Sequence, residues 1–283
     1  MIRQKSFQDQ RPTLYLVPTP IGNLQEMTPR ALDILKSVDW IAAEDTRNTK
    51  RLLQAYQIEK PLLSHHEHNQ GKSIPIILQK LEQGSVAVVS DAGYPLVSDP
   101  GQGLVQACIQ QGIPVVSVSG ANAAMNALVA SGLSCQHYFF YGFLDHKKTK
   151  RRQELETLKH FEHTMIFYEA PHRIEDTLLD MLEVLGNRQI CLARELTKLH
   201  EEYIRASIQE VLEVASGLKG EMVIVVEGAS EKEETWDWDQ LIQEVNVLVQ
   251  EGLKTKVAIQ QVAKQFHCSK NELYKIYHEG DHE

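Results

Sequence analysis

Residues 88–105 read VVSDAGYPLVSDPGQGLV and run from an apolar strand through two acidic turns into a helix. The strand is 86–89, a run of Val and Ala of the kind buried inside a parallel sheet. Asp91-Ala92-Gly93-Tyr94-Pro95 ends it with the residue types that break regular structure most strongly. Asp99 stands in the N-cap position and Pro100 in the first helical position, while Leu104, Ala107 and Cys108 carry helical spacing up to Gly112. In open α/β sheets, ligands bind just beyond the carboxyl ends of the strands. This loop is therefore the first candidate site.

Working outward, segments 14–17, 40–43, 62–64 and 115–118 are also strand-like, with helical segments between them. That alternation predicts a parallel α/β domain over residues 13–120. Its first helix has a clear start, with Thr28 as N-cap, Pro29 at the first helical position, and Ala31, Leu32 and Leu35 on one face. Past a small-residue helix at 121–131 the pattern changes. Segments 138–143, 165–168, 190–193, 203–206 and 222–226 give a second strand set, with 177–185 and 208–215 helical, and predict a mixed sheet. Residues 121–230 thus read as a second α/β domain, with the ligand-facing loops of both domains converging on a cleft.

Residues 231–283 read as a small helical module resembling a helix-turn-helix. An acidic stretch at 231–239, either a linker or the lead-in to a helix, precedes a helix at 254–266 and a turn at His267-Cys268. Ser269-Lys270-Asn271-Glu272 is a capping box that opens a second helix carrying Leu273, Ile276 and Tyr277.

With 283 residues, 42% of them apolar, the chain has material for two cores and an appendage. No run approaches the ~20 apolar residues of a membrane span, and the polar residues 1–11 lack the apolar centre of a signal peptide, so the expected compartment is the cytoplasm. Cys108, Cys135, Cys191 and Cys268 are widely separated, three of them within apolar patterns, and read as reduced, mostly packing residues. A net charge of −9 argues against coating nucleic acid with the whole protein field and leaves room for a local basic patch. Lys147, Lys148, Lys150, Arg151 and Arg152 form the densest one, ahead of a helical run from about Gln153. It reads either as a solvated interdomain loop or as a nucleic-acid contact.

A dinucleotide-binding reading fails because Gly101-x-Gly103 lies in the predicted helix with no third glycine at the right spacing. His65-His66-Glu67-His68 lacks a distant partner set, so no metal site is expected. What remains at strand ends is Pro20-Ile21-Gly22, Asp91-Ala92-Gly93-Tyr94 and Ser119-Gly120-Ala121-Asn122. Glycines there let backbone approach a ligand, and Asp91 offers a carboxylate either to that ligand or to its own turn. Glu44, Asp45 and Arg47 follow the second strand and put charges at the cleft rim.

Ser90-Asp91-Ala92-Gly93-x-Pro95-x-x-Ser98-Asp99-Pro100-Gly101 resembles the hallmark of the ribosomal RNA small subunit methyltransferase I family, within the tetrapyrrole methylase superfamily. The resemblance extends to Thr19-Pro20-Ile21-Gly22-Asn23-Leu24, Ala43-Glu44-Asp45-Thr46-Arg47, Phe167-Tyr168-Glu169-Ala170-Pro171-His172-Arg173 and Ala193-Arg194-Glu195-Leu196-Thr197-Lys198. It implies two α/β domains with a cofactor cleft between them. S-adenosylmethionine would be held by Pro20, Ile21, Asp91, Gly93, Tyr94, Gly120, Ala121 and Asn122, with Phe167, Tyr168 and Ala193 as apolar walls. Where the family pattern often reads Pro-Gly-Pro-Ser, this chain has Ser119-Gly120-Ala121-Asn122 and keeps the glycine.

The implied reaction is methyl transfer to the ribose 2′-hydroxyl of a cytidine in small-subunit ribosomal RNA, free or in the assembled subunit. Glu44 and Asp45 are the candidate acid/base groups and Arg47 the candidate anchor. The basic cluster and the C-terminal helices would meet the RNA, and the resemblance implies a homodimer. Two alternatives stand beside this reading: a tetrapyrrole methyltransferase acting on a small macrocycle, and a non-catalytic ribosome-assembly factor that keeps a cofactor pocket.

Overall fold

Uninterrupted short runs of Leu, Val and Ala build the first sheet. In the computed structural model, which describes residues 3–6, 11–99, 101–229, 238–266, 268 and 270–279, strands and helices alternate: β1 (Leu14–Leu16), α1 (Pro29–Ser37), β2 (Trp40–Ala43), α2 (Thr46–Ala55), β3 (Leu62–Ser64), α3 (Gln70–Leu81), β4 (Val86–Val89), α4 (Gln102–Gln110) and β5 (Val115–Ser117). The strand order is β3-β2-β4-β1-β5, all parallel. Central β4 is buried along its whole length because both faces are covered. Ala87 and Val89 pack with Leu35 of α1 and Leu53 of α2, while Val86 and Val88 pack with Ile77 of α3 and Leu104 of α4. Each such leucine contributes about 1.5–3 kcal/mol by leaving water. Thr28 caps α1 by accepting the Ala31 N–H at 3.2 Å, with Pro29 next in line.

The second sheet follows α5 (Ala123–Ser131). Its elements are β6 (Tyr138–Phe143), α6 (Lys148–Leu158), β7 (Thr164–Glu169), α7 (Ile174–Leu185), β8 (Gln189–Arg194), β9 (Glu202–Ser207), α8 (Ile208–Ala215) and β10 (Met222–Val226). The order is β6-β7-β10-β8-β9, with β6 and β7 parallel and the remaining pairs antiparallel. One face packs on α6, α7 and α8 through Phe167, Leu192 and Ile224, and the other packs on α5 through Ile166, Ala193 and Val225. Because β10 runs antiparallel to both neighbours, its first residue, Met222, lies opposite Glu169 and Arg194 at their carboxyl ends.

Two compact units divide the chain, residues 1–228 holding both sheets and residues 229–283. The second unit comprises α9 (Trp238–Gln250), α10 (Thr255–Gln265) and α11 (Lys270–Glu279), joined through Leu241, Val245, Ile259, Val262 and Leu273. The Tyr277 hydroxyl ties α11 to α9 by donating to Asn246 Oδ1 at 2.7 Å. Among the described residues, no helix is long and apolar enough to cross a membrane.

Several expectations are corrected. Asp99 does not cap α4, which begins at Gln102 behind Gly101; Pro100 lies outside the described residues. The basic cluster is helical rather than a loop, since α6 starts at Lys148. Trp238 and Asp239 form the first turn of α9, residues 231–237 of the acidic stretch lie outside the described residues, and so do His267 and Ser269 of the predicted turn and capping box.

Candidate active site

Parallel strands deliver the loops after β1, β2, β4 and β5 to one edge, and hydrogen bonds stitch them together. Thr19 and Gly93 exchange backbone bonds of 2.9 and 3.0 Å, and the Thr19 hydroxyl donates to the Ser90 carbonyl at 3.1 Å. Gly120 N–H donates to the Tyr94 hydroxyl at 3.1 Å. Only glycine fits there, since a Cβ at 120 would lie 2.8 Å from Pro18 Cβ. From α2, Asn48 Nδ2 donates to Asp91 Oδ2 at 2.9 Å, and Asn122 Oδ1 caps α5 by accepting the Met125 N–H at 3.0 Å. Within the 90–99 loop, Leu96 (φ 74) and Ser98 (φ 64) hold left-handed backbone, a strain of about 1–3 kcal/mol each that the surrounding bonds sustain.

These loops and the second sheet enclose a cavity of about 480 Å³, within the size range of small-molecule sites. Ile21, Glu44, Asp91, Gly93, Tyr94 and Asp99 line it from the first sheet, Asn122 from the start of α5, and Phe143, Tyr168, Glu169, Leu196 and Val223 from the second. Glu169 is buried and fully engaged. Its carboxylate accepts the Thr177 hydroxyl at 2.6 Å and the Ala170 N–H at 2.8 Å, with Arg173 Nε at 3.2 Å. Arg173 in turn donates to the carbonyls of Leu144 (2.9 Å) and Asp145 (3.1 Å), so the segment 169–173 braces the end of β6 against β7. Lys198 reaches Glu195 at 2.9 Å and Glu221, another lining residue, at 3.0 Å.

Acidic groups crowd this space. Burial raises the Glu44 pKa above the usual carboxylate value, and the negative charges of Asp99, Asp91, Asp45 and Glu67 add to it. Burial likewise raises Asp99; a hydrogen bond from Ser90 opposes this and the Asp91 charge reinforces it. Asp45 behaves oppositely. Its carboxylate accepts Arg47 Nε at 3.1 Å, Nη2 at 2.7 Å and the Arg47 backbone N–H at 2.8 Å, bonds that hold it well below the carboxylate range.

Residues 13–212 match the family of Tetrapyrrole (Corrin/Porphyrin) Methylases. The chain is 49% identical over 274 residues to ribosomal RNA small subunit methyltransferase I of Bacillus subtilis (strain 168), covering 94% of each chain. It is 44% identical over 268 residues to the protein of that name from a Synechocystis species, covering 93% of this chain and 96% of the relative.

The chain belongs to the ribosomal RNA small subunit methyltransferase I family.

Solved structures share the family fold at low identity. Uroporphyrin-III C-methyltransferase of Thermus thermophilus, complexed with S-adenyl homocysteine, is 20% identical with a TM-score of 0.54, covering 76% of this chain and 97% of the other. A cobalt precorrin-4 methyltransferase is 13% identical with a TM-score of 0.58, covering 76% and 94%.

In this member of the family, Ile21, Glu44, Asp91, Gly93, Tyr94, Asn122 and Tyr168 meet at the cavity. Other expected positions do not. Pro20 lines a small neighbouring pocket with Asn48 and Asp91, Gly120 supports the loop through its bond to Tyr94, and neither Gly120 nor Ala121 lines the cavity. Phe167 is fully buried in the core on the far side of its sheet, because strand neighbours alternate and Tyr168 takes the cavity side. Ala193 is buried under α5. Asp45 caps α2 and is tied to Arg47, and neither lines the cavity. In the basic cluster, Arg151 is buried against Asp180 at 2.6 Å and cannot meet RNA, and Arg152 pairs with Glu183. Lys147, Lys148 and Lys150 remain exposed.

Sequence reasoning missed Phe143, Leu196, Met222, Val223 and the cavity role of Asp99. The two β10 residues enter only because that strand is antiparallel, which its own residues do not announce. Leu196 carried a signal, since it sits two residues past the end of β8 within the 193–198 motif.

Proposed function

We propose that the chain binds S-adenosylmethionine in the cavity between its sheets and transfers the methyl group to the ribose 2′-hydroxyl of a cytidine in small-subunit ribosomal RNA. The acidic cavity carries this reading. Glu44, Asp91 and Asp99 crowd negative charge around one space, and a ligand bearing a cationic sulfur and an ammonium relieves that repulsion. Ile21, Leu196 and Val223 would meet its apolar surface, and Asp91 and Asn122 its polar groups. The names of the relatives supply the acceptor class.

When bound, the cofactor supplies a methyl group already activated on a positively charged sulfur. The protein then has to hold the acceptor oxygen in line at ~3 to 3.5 Å, exclude water and take one proton. Glu44 is suited to the proton because its raised pKa makes its carboxylate a stronger base than an ordinary glutamate. Asp45 is unsuited, since its lone pairs already serve Arg47. Lys147, Lys148 and Lys150 offer exposed cations to RNA phosphates, and the helical unit offers a second docking element. The reading extends to a homodimer in the cytoplasm. Tyr138 and Phe139, exposed on edge strand β6, support a second copy there, and light scattering at twice the chain mass would bear it out.

The test is methyl transfer from labelled S-adenosylmethionine to small subunits lacking the modification, with the labelled nucleotide mapped. Label on a single cytidine ribose is the expected result. Cofactor binding without label on any subunit would favour the assembly-factor alternative.

A further inference from the structure

Of the apolar walls of the cavity, Ile21, Leu196, Met222 and Val223 are each below a tenth exposed, while Val97 is 38% exposed. Phe143 is the most exposed of the aromatic ones. It lines the same cavity with 54% of its surface open. Its direction is not the one strand alternation gives. Phe140 and Phe143 both make T-shaped contacts with Tyr168, with ring centroids 5.0 and 5.5 Å away, although residues three apart on a regular strand face opposite ways. Tyr141, between them, packs on Phe167 at 5.5 Å on the opposite face. The register of β6 against β7 slips between Phe140 and Gly142, and Gly142 absorbs the slip at φ 85. Bulges of this kind re-aim side chains beside active sites. A Cβ at 142 would also lie 3.2 Å from Ser98 Oγ, another cavity residue, so the backbone angle favours glycine and the close approach adds to that preference.

This irregularity places a large, half-exposed ring at the cavity mouth, in contact with Tyr168. Four residues later the exposed lysines 147, 148 and 150 begin. Lys148 and Lys150 stand 3.9 and 3.8 Å from Asp180 and Asp145, spacings that leave ammonium donors for a phosphate. An aromatic face flanked by cations matches an unpaired nucleotide, whose base stacks while its phosphates pair. Resting on the methyltransferase reading above, we infer that Phe143 is the stacking platform for the base of the acceptor nucleotide. It holds that nucleotide, turned out of its helix, with the ribose toward the cavity that Glu44 lines.

The test uses the full chain as Phe143→Ala and Phe143→Trp. In Phe143→Ala, calorimetric affinity for S-adenosylmethionine should stay within about twofold, while the apparent KM for unmodified small subunits rises about tenfold or more, the scale of removing one base stack. Phe143→Trp should restore transfer. Its added tryptophan emission should also be quenched by a short cytidine-centred single-stranded RNA in the presence of cofactor, with no such quenching in the parent protein. An unchanged KM in Phe143→Ala, or an unquenched Phe143→Trp, overturns the proposal. A loss of cofactor affinity that matches the loss of transfer makes Phe143 a cofactor wall and overturns it equally. If the parent protein methylates no subunit, the methyltransferase reading fails instead, and the quenching result still decides whether a base stacks at Phe143.

Discussion

Replacing Arg151 with methionine should destabilise the protein rather than weaken its grip on RNA. The guanidinium donates to Asp180 Oδ2 from Nε at 2.7 Å and from Nη2 at 2.6 Å, with the two side chains 4% and 2% exposed. Removing one partner of such a buried pair strands the other charge and costs about 3–5 kcal/mol. Lys148 and Arg152, each 3.9 Å from Asp180 Oδ1, offset part of the stranded charge, so Arg151→Met belongs near the lower figure. At about 2–4 °C per kcal/mol for a domain of this size, that predicts a fall in Tm of about 6–12 °C. Asp180→Leu leaves the Arg151 guanidinium without its ionic partner and should fall further. The double variant Arg151→Met/Asp180→Leu should recover most of the loss, since apolar residues of similar volume often replace a buried pair at little cost. Differential scanning fluorimetry across the cycle reads all three. A Tm within about 2 °C of the parent for Arg151→Met, together with a weaker and less salt-sensitive affinity for RNA, would refute this and return Arg151 to the RNA surface.

Asp91→Ala should weaken S-adenosylmethionine binding by about 1–3 kcal/mol through loss of a charged hydrogen bond, measured by calorimetry on the folded variant. Lys147→Ala/Lys148→Ala/Lys150→Ala should lower RNA affinity and flatten its salt dependence by roughly one unit of slope for each phosphate ion pair removed, leaving cofactor affinity intact. A chain truncated after Gly228 ends where its compact unit ends and should keep cofactor binding while losing affinity for the subunit; loss of the cofactor would make the helical unit part of the site. Because burial raises the pKa values of Glu44 and Asp99 above their ordinary values, cofactor affinity should be full above those raised values and fall as pH drops through them. The demethylated product, lacking the sulfonium charge, should show the weaker pH dependence of the two.

What the sequence discloses is what local chemistry dictates. The run 86–89 announces a buried strand, and Asp91 with Gly93 announces the turn that ends it, because both signals lie within a few residues of the feature they report. Thr28 and Pro29 mark a helix start for the same reason. Errors gather where a distant partner decides. Phe167 and Tyr168 are adjacent aromatics, and which one faces the cavity depends on the packing of α6–α8 against one face and α5 against the other. No apolar periodicity marks 147–152 as helical; Leu155 and Leu158 anchor the later turns of α6 in the core, and Arg151 reaching Asp180, 29 residues away, ties down its first turn. Phe143 is harder still, since simple alternation assigns it to the face of Tyr141 and only the slipped register reverses that.

The distribution of charge explains how one acidic chain handles a cationic cofactor and an anionic polymer together. Carboxylates of Glu44, Asp91 and Asp99 line the cavity, where their mutual repulsion favours a positive ligand and disfavours a phosphate. Exposed lysines 147, 148 and 150 follow the Phe143 end of β6, where phosphates are welcome. On the proposed reading, an RNA strand drawn to those lysines is repelled from going deeper, and the part of a nucleotide best able to enter is uncharged, its base and ribose. The same field that attracts the methyl donor thus limits which atoms of the acceptor reach it, and a hydroxyl on the sugar satisfies that limit without carrying a phosphate inside.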